Sequence, residues 1–236
     1  MKKTLIALMA LAGAAFGADY TTETVWTLNF GSEYTGGYEW VGAPANKGQF
    51  WDVIAVEGGT QTSGNKRVHM AGGNYGSWDE DFEFTMTLTL GETISASNGW
   101  PVFGEIAGNG TSLRFGPYTN NNNTVAIDGN LDKGENNLVS VAPGGTYTIT
   151  LTKIGNEVTV SVNGVASGYG VLADTVTGNI TDIALGGNTG SNYRINEVVH
   201  SASWSKVTPA PAVPEPTTAT LSLLALAGLA ARHRRK

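Results

Sequence analysis

Apolar and polar residues alternate along most of the body of this chain. In the clearest run, Phe82, Phe84 and Met86 share one parity while Glu83 and Thr85 share the other. Successive side chains of a strand point to opposite faces, so this pattern predicts a strand with one buried and one polar face. Similar runs predict further strands at residues 25–30, 50–56, 66–71, 102–106, 112–115, 124–127, 180–185 and 198–204.

Two alternating runs at 147–152 and 158–162 flank the dipeptide Gly155-Asn156. Both turn residues tolerate a positive φ, so the segment predicts a β-hairpin, and Asn163-Gly164 predicts the turn that follows it. The body contains no stretch of 12 residues with helical apolar spacing. Many short antiparallel strands without helices predict an all-β sandwich or barrel.

The amino-acid composition excludes several classes of site and of protein. The chain has 236 residues, of which 14% are charged, and it contains 32 Gly and no Cys. A disulfide scaffold, thiol catalysis and a thiolate zinc site are therefore excluded. The apolar content of 41% is enough for one core and argues against a disordered chain.

The N-terminus has the form of a secretory signal. Two lysines precede an apolar run at 5–16, and Ala15 and Gly17 supply small residues at a cleavage site. This arrangement predicts export and removal of residues 1–17 by signal peptidase.

The C-terminus has three parts in a fixed order: a Pro-Glu-Pro motif, an apolar stretch of 13 residues and a basic end. A membrane-spanning helix needs about 20 residues, so this stretch predicts only a transient hold on the inner membrane. The tail resembles the PEP-CTERM sorting signal of bacterial envelope proteins. The resemblance implies processing by an exosortase-type enzyme and sorting to the cell surface, envelope or matrix. The residues that carry it are Val213, Pro214, Glu215, Pro216, Arg232, Arg234 and Arg235.

Without both ends, residues 18–213 hold 8 basic and 19 acidic residues, a net charge of −11. This charge disfavours binding to nucleic acid. A Pro-rich stretch then divides the chain into a signal at 1–17, a β-sandwich at 18–207, a linker at 208–213 and a sorting signal at 214–236.

The segment 144–168 resembles a hairpin of the concanavalin A-like lectin/glucanase domains, in the laminin-G-like group. Residues 183–188 resemble the "lxlGg" strand of that family, and residues 196–204 its closing strand, which pairs back near the first strand at 24–30. The resemblance implies a jelly roll of two antiparallel sheets.

Candidate catalytic groups are sparse. Asp79, Asp81 and Glu83 share one strand parity, as do the paired carboxylates of glucanases with this fold, but Met86 stands where a third acid is expected. His69 and His200 lie within strand patterns, which favours structural roles. The sequence therefore predicts no catalytic residues.

Metal and cofactor signals are equally weak. The loop 128–134 places Asp128, Asn130 and Asp132 in the first, third and fifth positions of a calcium loop, but Val139 replaces the expected Glu. We therefore predict no metal and no cofactor, with calcium as the weak alternative.

Sugar recognition requires aromatic faces for pyranose C–H groups and amides for hydroxyls. Three loops offer both, whereas Trp26, Trp51 and Trp204 lie in strand patterns typical of a core. The loop residues with this chemistry are Trp100, Tyr118, Asn120, Asn121, Asn122, Asn123, Asn192 and Tyr193.

These observations lead to one hypothesis and two rivals. The hypothesis is an exported, non-catalytic β-sandwich that binds carbohydrate or another extracellular ligand. The first rival is a structural envelope or matrix protein without a specific ligand, and the second is a diverged glycoside hydrolase.

Overall fold

The computed structural model describes residues 20–62, 67–92, 103–118, 123–135, 139–186 and 197–210. These residues contain sixteen strands and one 3-10 turn, Thr35–Gly37, and no α-helix. The strands are β1 (Tyr20–Phe30), β2 (Tyr38–Val41), β3 (Gln49–Trp51), β4 (Ala55–Val56), β5 (Gly59–Gln61), β6 (Val68–Ser77), β7 (Phe82–Thr89), β8 (Gly104–Gly108), β9 (Thr111–Tyr118), β10 (Thr124–Gly129), β11 (Leu131–Glu135), β12 (Thr146–Ile154), β13 (Glu157–Val162), β14 (Val165–Leu172), β15 (Asn179–Leu185) and β16 (Val198–Pro209).

The strands form two antiparallel sheets packed face to face. One sheet has ten strands, with β11-β14-β13-β12-β7-β16-β1-β2 as its main path, β5 attached to β16 and β4 attached to β5. The other has six strands in the order β10-β9-β8-β15-β6-β3. The predicted sandwich of two antiparallel sheets is confirmed. A search of the described residues found no helix with the length and apolar character needed to span a membrane.

The predicted hairpin is confirmed in its register. Strands β12 and β13 pair from Ile149 opposite Val162 to Ile154 opposite Glu157. Gly155 has φ 58°, and Asn163 and Gly164 in the next turn have φ 50° and φ 80°. These positive φ values explain the choice of Gly155, Asn163 and Gly164, whereas Asn156 does not adopt a positive φ.

Strand β16 departs from the alternation that its sequence predicts. A bulge between Val199 and Ser201 shifts its pairing with β7. Val199 and Ala202 are therefore both buried, and His200 turns to the outer face. There its Nδ1 donates to the carbonyl oxygen of Gly58 at 2.6 Å. The alternation at 198–204 predicts His200 on the same face as Ala202 and Trp204. That prediction is wrong, because a bulge reverses side-chain parity.

An aromatic cluster joins the two sheets. Trp26 on β1 stacks against Trp204 on β16 with ring centroids 6.4 Å apart, and Phe82 stacks on Trp204 at 4.1 Å. All three side chains are buried. The indole of Trp26 donates to the carbonyl oxygen of Tyr75 on β6 at 2.9 Å, which ties the ten-stranded sheet to the six-stranded one.

The outer face of the ten-stranded sheet is rich in hydroxyl groups. Cross-strand pairs between β7 and β12 are hydrogen-bonded, as in Thr89–Thr146 at 2.8 Å and Thr85–Thr150 at 3.1 Å. Such Thr pairs contribute about 0.2–1 kcal/mol each relative to Ala pairs. This hydroxyl face accounts for the polar half of the alternation at 82–90.

We predict that Gly76→Ala lowers stability by about 1–3 kcal/mol, because a Cβ at Gly76 would overlap the indole ring of Trp204. Urea unfolding measures the loss. The same substitution in a Trp204→Phe background should cost less, since the smaller ring leaves room for the methyl group. Equal losses in both backgrounds would contradict the assignment of this contact.

Candidate functional site

The outer face of the six-stranded sheet begins with an exposed tryptophan. Trp51 lies on the edge strand β3 and is 47% exposed, so its expected place in the core was wrong. Its ring lies 5.2 Å from that of His69 on the neighbouring strand β6. The single strand predicted at 50–56 is divided, since only Gln49–Trp51 and Ala55–Val56 are strands and Asp52 has φ 58°. The face on which Trp51 lies is set by pairing with β6, because a three-residue strand has too short an alternation to show which side is buried.

A row of six aligned residues crosses this face. Cross-strand register places one residue from each of the six strands in line. In order across the sheet, these residues are Trp51, His69, Ala184, Glu105, Arg114 and Asp128.

Opposite charges in and beside the row are paired. Arg67, beside the start of β6, donates to Glu105 on β8 at 2.7 Å. Arg114 on β9 donates to Asp128 on β10 at 2.7 Å. Both are charge-assisted hydrogen bonds of good length, so each arginine is held in place by a carboxylate.

His69 and Asp182 form the third pair. The Nε2 atom of His69 lies 3.5 Å from Asp182 Oδ1, and the Thr181 hydroxyl donates to the other carboxylate oxygen at 2.6 Å. The side chains of His69 and Asp182 are 40% and 37% exposed, so a ligand can reach both.

Small residues leave space above the sheet at this point. A depression of about 380 Å³ opens where Ala107 and Ala184 carry only methyl side chains, between the charged pairs. Its remaining lining residues are Asp52, Arg67, His69, Glu105 and Asp182.

Two further depressions flank Trp51. One, of about 540 Å³, lies toward Tyr38 and Phe50, whose rings stack with centroids 4.2 Å apart. The other, of about 390 Å³, lies toward Asn46 and Ala71. Trp51 therefore lies between two depressions, one of which reaches the sandwich edge at Tyr38 on β2. We call the aligned row from Trp51 to Asp128, together with the depressions beside it, the Trp51 face.

Most of the ligand-binding residues predicted from sequence lie outside the described residues: Trp100, Asn120, Asn121, Asn122, Asn192 and Tyr193. Tyr118 is the last residue of β9 and pairs with Thr124. Asn123 lies in the turn before β10 with φ 55°, and its carbonyl oxygen accepts a hydrogen bond from the Val141 amide at 3.1 Å.

The strand ends next to the three predicted loops are neighbours. The amide of Gly186 donates to the carbonyl oxygen of Phe103 at 2.6 Å. The amide of Phe103 donates to the carbonyl oxygen of Phe115 at 2.8 Å. Segments 93–102 and 187–196 therefore attach to the sheet side by side, and β9 runs past them to Tyr118. One end of the six-stranded sheet carries all three attachment points.

The acidic segment at 79–83 is engaged in local structure. Asp79 Oδ2 accepts the Gly178 amide at 3.0 Å, and Asp81 Oδ1 accepts the Gly155 amide at 2.7 Å. The buried Lys153 donates to the carbonyl oxygen of Glu80 at 3.1 Å, and burial lowers the pKa of its amine. Glu83 faces the hydroxyls of Thr152 and Ser205 across β12 and β16. This geometry assigns Asp79 and Asp81 to the fixing of turns.

Within the described parts of the chain, no three His, Asp or Glu side chains converge as a metal site requires. In the loop 128–134, which would bind calcium on the weaker alternative, Asp128 pairs with Arg114, and the side-chain oxygen of Asn130 accepts the Ser112 amide at 2.9 Å. Two of the proposed ligands are thus already hydrogen-bonded.

The chain leaves the sandwich through β16, which ends at Pro209 and leads directly to the tripartite tail. Residues 212–236 match the family model of the PEP-CTERM protein-sorting motif. The PEP-CTERM tail implies an exported protein that an exosortase processes and that is sorted to the cell surface. No curated protein matches the chain in sequence.

Solved structures with the same fold include two different kinds of protein. A sialidase of Trypanosoma rangeli in complex with sialic acid aligns with a TM-score of 0.52 and 16% identity, over 75% of this chain and 30% of the sialidase. The binding domain of botulinum neurotoxin DC in complex with rat synaptotagmin II aligns with a TM-score of 0.51 and 12% identity, over 77% of this chain and 47% of that domain. The chain thus spans less than half of either protein, and the likeness establishes a β-sandwich consistent with the concanavalin A-like resemblance.

Sequence reasoning missed the Trp51 face because its residues are far apart in the chain. The position of Glu105 opposite Arg114 could be predicted from local sequence, since β8 and β9 form a hairpin across Asn109-Gly110. The Arg67–Glu105 and His69–Asp182 pairs had none, since both depend on the long-range pairing of β6, β15 and β8.

Glu83 provides a test of pH-dependent stability. Burial raises the pKa of Glu83 above its ordinary value of 4.5, against a smaller opposing effect of the Thr85 hydroxyl. Folding therefore favours the protonated form, and this contribution to stability is lost as pH rises from 4.5 through the raised pKa. We predict that Glu83→Gln raises the thermal unfolding midpoint at pH 7 but not at pH 4.

The exposed Glu157→Gln is the matched control and should leave the midpoint unchanged at both pH values. Equal midpoints for the Glu83→Gln variant and the parent at pH 7 would contradict the prediction. The variant also tests hydrolysis, because reducing-sugar release that disappears with Glu83→Gln would establish a glycosidase.

Proposed function

We propose that this protein is a non-catalytic carbohydrate-binding β-sandwich that is exported and displayed at the cell surface. The observation that carries the proposal is the exposed Trp51 beside the accessible His69–Asp182 pair on one sheet face. An exposed indole next to polar groups in a shallow depression has the chemistry that sugar rings require.

The aromatic part of the site suits the C–H face of a pyranose ring, and its polar part suits the hydroxyl groups. The indole face of Trp51 stacks against ring C–H groups, and the depressions of about 540 and 390 Å³ on either side accept neighbouring sugars. The Asp182 carboxylate accepts hydrogen bonds from hydroxyls, and His69 donates or accepts according to its tautomer. An open face of this kind suits a chain of sugars better than a single enclosed one.

The predicted loops extend the same site. Trp100, Asn192 and Tyr193 lie in segments that attach beside Phe103 and Gly186, at one end of the six-stranded sheet. The depression at His69 reaches toward that end through Arg67. We propose that these loops provide a second aromatic and amide surface for the same glycan.

The proposed export rests on the N-terminal segment, and the proposed display at the cell surface rests on the C-terminal tail. Residues 1–17 are proposed as a signal peptide cut by signal peptidase, and the segment after Pro209 as a transient inner-membrane hold. Exosortase processing at the Pro-Glu-Pro motif, which the PEP-CTERM tail implies, would then deliver the sandwich to the outer envelope or matrix.

A structural envelope role is the second candidate, and the hydroxyl face of the ten-stranded sheet favours it. Its Thr and Ser residues form a wide, sparsely charged surface that suits solubility and lateral assembly. A full-length chain that is folded but binds no glycan on a broad array would favour this role over carbohydrate binding.

We predict that Trp51→Ala weakens glycan binding by about tenfold or more, because loss of aromatic stacking costs about 0.5–1.5 kcal/mol beyond the lost contact area. A glycan array followed by calorimetry measures the change. Val41→Ala is the matched control, since Val41 is an exposed apolar residue at the edge of the other sheet. Unchanged affinity in Trp51→Ala would exclude this face as the site.

We also predict that Trp100→Ala and Tyr118→Ala lower affinity while leaving the thermal unfolding midpoint within about 2 °C, as a role in binding rather than in packing requires. Differential scanning fluorimetry and the same binding assay separate the two effects. A large fall in the midpoint would assign these side chains to packing instead.

A further inference from the structure

The charged groups of the Trp51 face favour one class of sugar over another. Resting on the proposed function, we infer that the glycan bound here is neutral or carries amino groups, and that glycans bearing carboxylates are rejected. The inference rests on which charges of this face are already paired and which remain available to a ligand.

Both arginines are engaged by carboxylates of the same face. The Nη1 atom of Arg67 is bound to Glu105 at 2.7 Å, and its Nε and Nη2 atoms are buried. Arg114 is bound to Asp128 at 2.7 Å and stands between Asp128 and Glu105 in the cross-strand register. The charge of each guanidinium is thus already balanced by a protein carboxylate, which lowers its attraction for a carboxylate ligand.

Asp182 has no arginine or lysine among its described partners. Its described partners are the hydroxyl of Thr181 and the imidazole of His69, which carries a charge only when protonated. The side chain is 37% exposed and lines the depression. A ligand that reaches His69 therefore meets a negative charge.

The described lining of the depression has an excess of acid. Asp52, Glu105 and Asp182 are its carboxylates, against the single guanidinium of Arg67 and the imidazole of His69. The net charge of −11 on residues 18–213 acts in the same direction at long range. Hydroxyl groups can donate to Asp182 and ammonium groups are attracted to it, whereas a uronate or sialate is repelled.

Matched pairs of polymers that differ in a carboxylate test the inference. Affinity electrophoresis of the full-length chain at pH 8 would compare polygalacturonate with the α-1,4-galactan made by reducing its C6 carboxylates, and soluble β-1,4-glucuronan oligomers with their carboxyl-reduced glucan oligomers. We expect the neutral member to bind about tenfold more tightly. Repulsion between two like charges a few ångströms apart at a protein surface weakens binding by about that factor. The preference should shrink in 1 M NaCl, where the Debye length falls to about 3 Å.

The variant Asp182→Asn should reduce the ratio of neutral to acidic affinity by about tenfold. Glu157→Gln, which removes one negative charge from the other sheet, should leave that ratio unchanged. Equal or tighter binding of the uronate polymers, or an unchanged ratio in Asp182→Asn, would overturn the inference.

Failure of the proposed function gives a different result. If Trp51→Ala weakens binding but uronates bind best, the site stands and only the charge preference is wrong. If no polymer binds, or if Trp51→Ala leaves binding unchanged, the proposed site fails and the inference fails with it.

Discussion

The pairing of the first strand with the last is the contact on which the rest of the structure depends. Strand β1 pairs with β16 from Tyr20 opposite Pro209 to Asn29 opposite Ser201, across almost the full length of the described chain. This pairing brings Trp26 against Trp204 and completes the aromatic cluster that holds the two sheets together. Closing so long a loop carries a large entropic cost, which burial of the aromatic cluster must offset.

The same pairing sets the position of the sorting signal. The PEP-CTERM motif begins only a few residues after Pro209, so it leaves the sandwich beside the first residue of β1. Few residues separate the folded body from the apolar segment that follows. A processing enzyme that acts on the Pro-Glu-Pro motif therefore works close to the paired ends of the sandwich.

The outer faces of the two sheets carry different kinds of polar side chains. The ten-stranded sheet presents hydroxyl pairs that bond to one another, which makes a polar surface with few charges. The six-stranded sheet presents arginine–carboxylate pairs, a histidine and an exposed tryptophan, with methyl side chains between them that leave a depression. The likeness to solved β-sandwiches cannot make this distinction, because a fold does not specify its ligand. The proposal therefore rests on the residues of the Trp51 face.

The sequence by itself determined most of the strands, the main turns and the sorting tail, but it did not indicate β2, β5, β11 or β14. The alternation at 82–90, the turn at Gly155-Asn156 and the tripartite tail are local patterns whose physical causes lie within a few residues. Only the tertiary structure decided which side chains each face presents. Trp51 is exposed because β3 is a short edge strand, His200 turns outward because of a bulge, and His69 meets Asp182 because β6 pairs with β15. Each of these outcomes depends on a strand distant in the chain, and the alternation of a single strand contains no information about its partner.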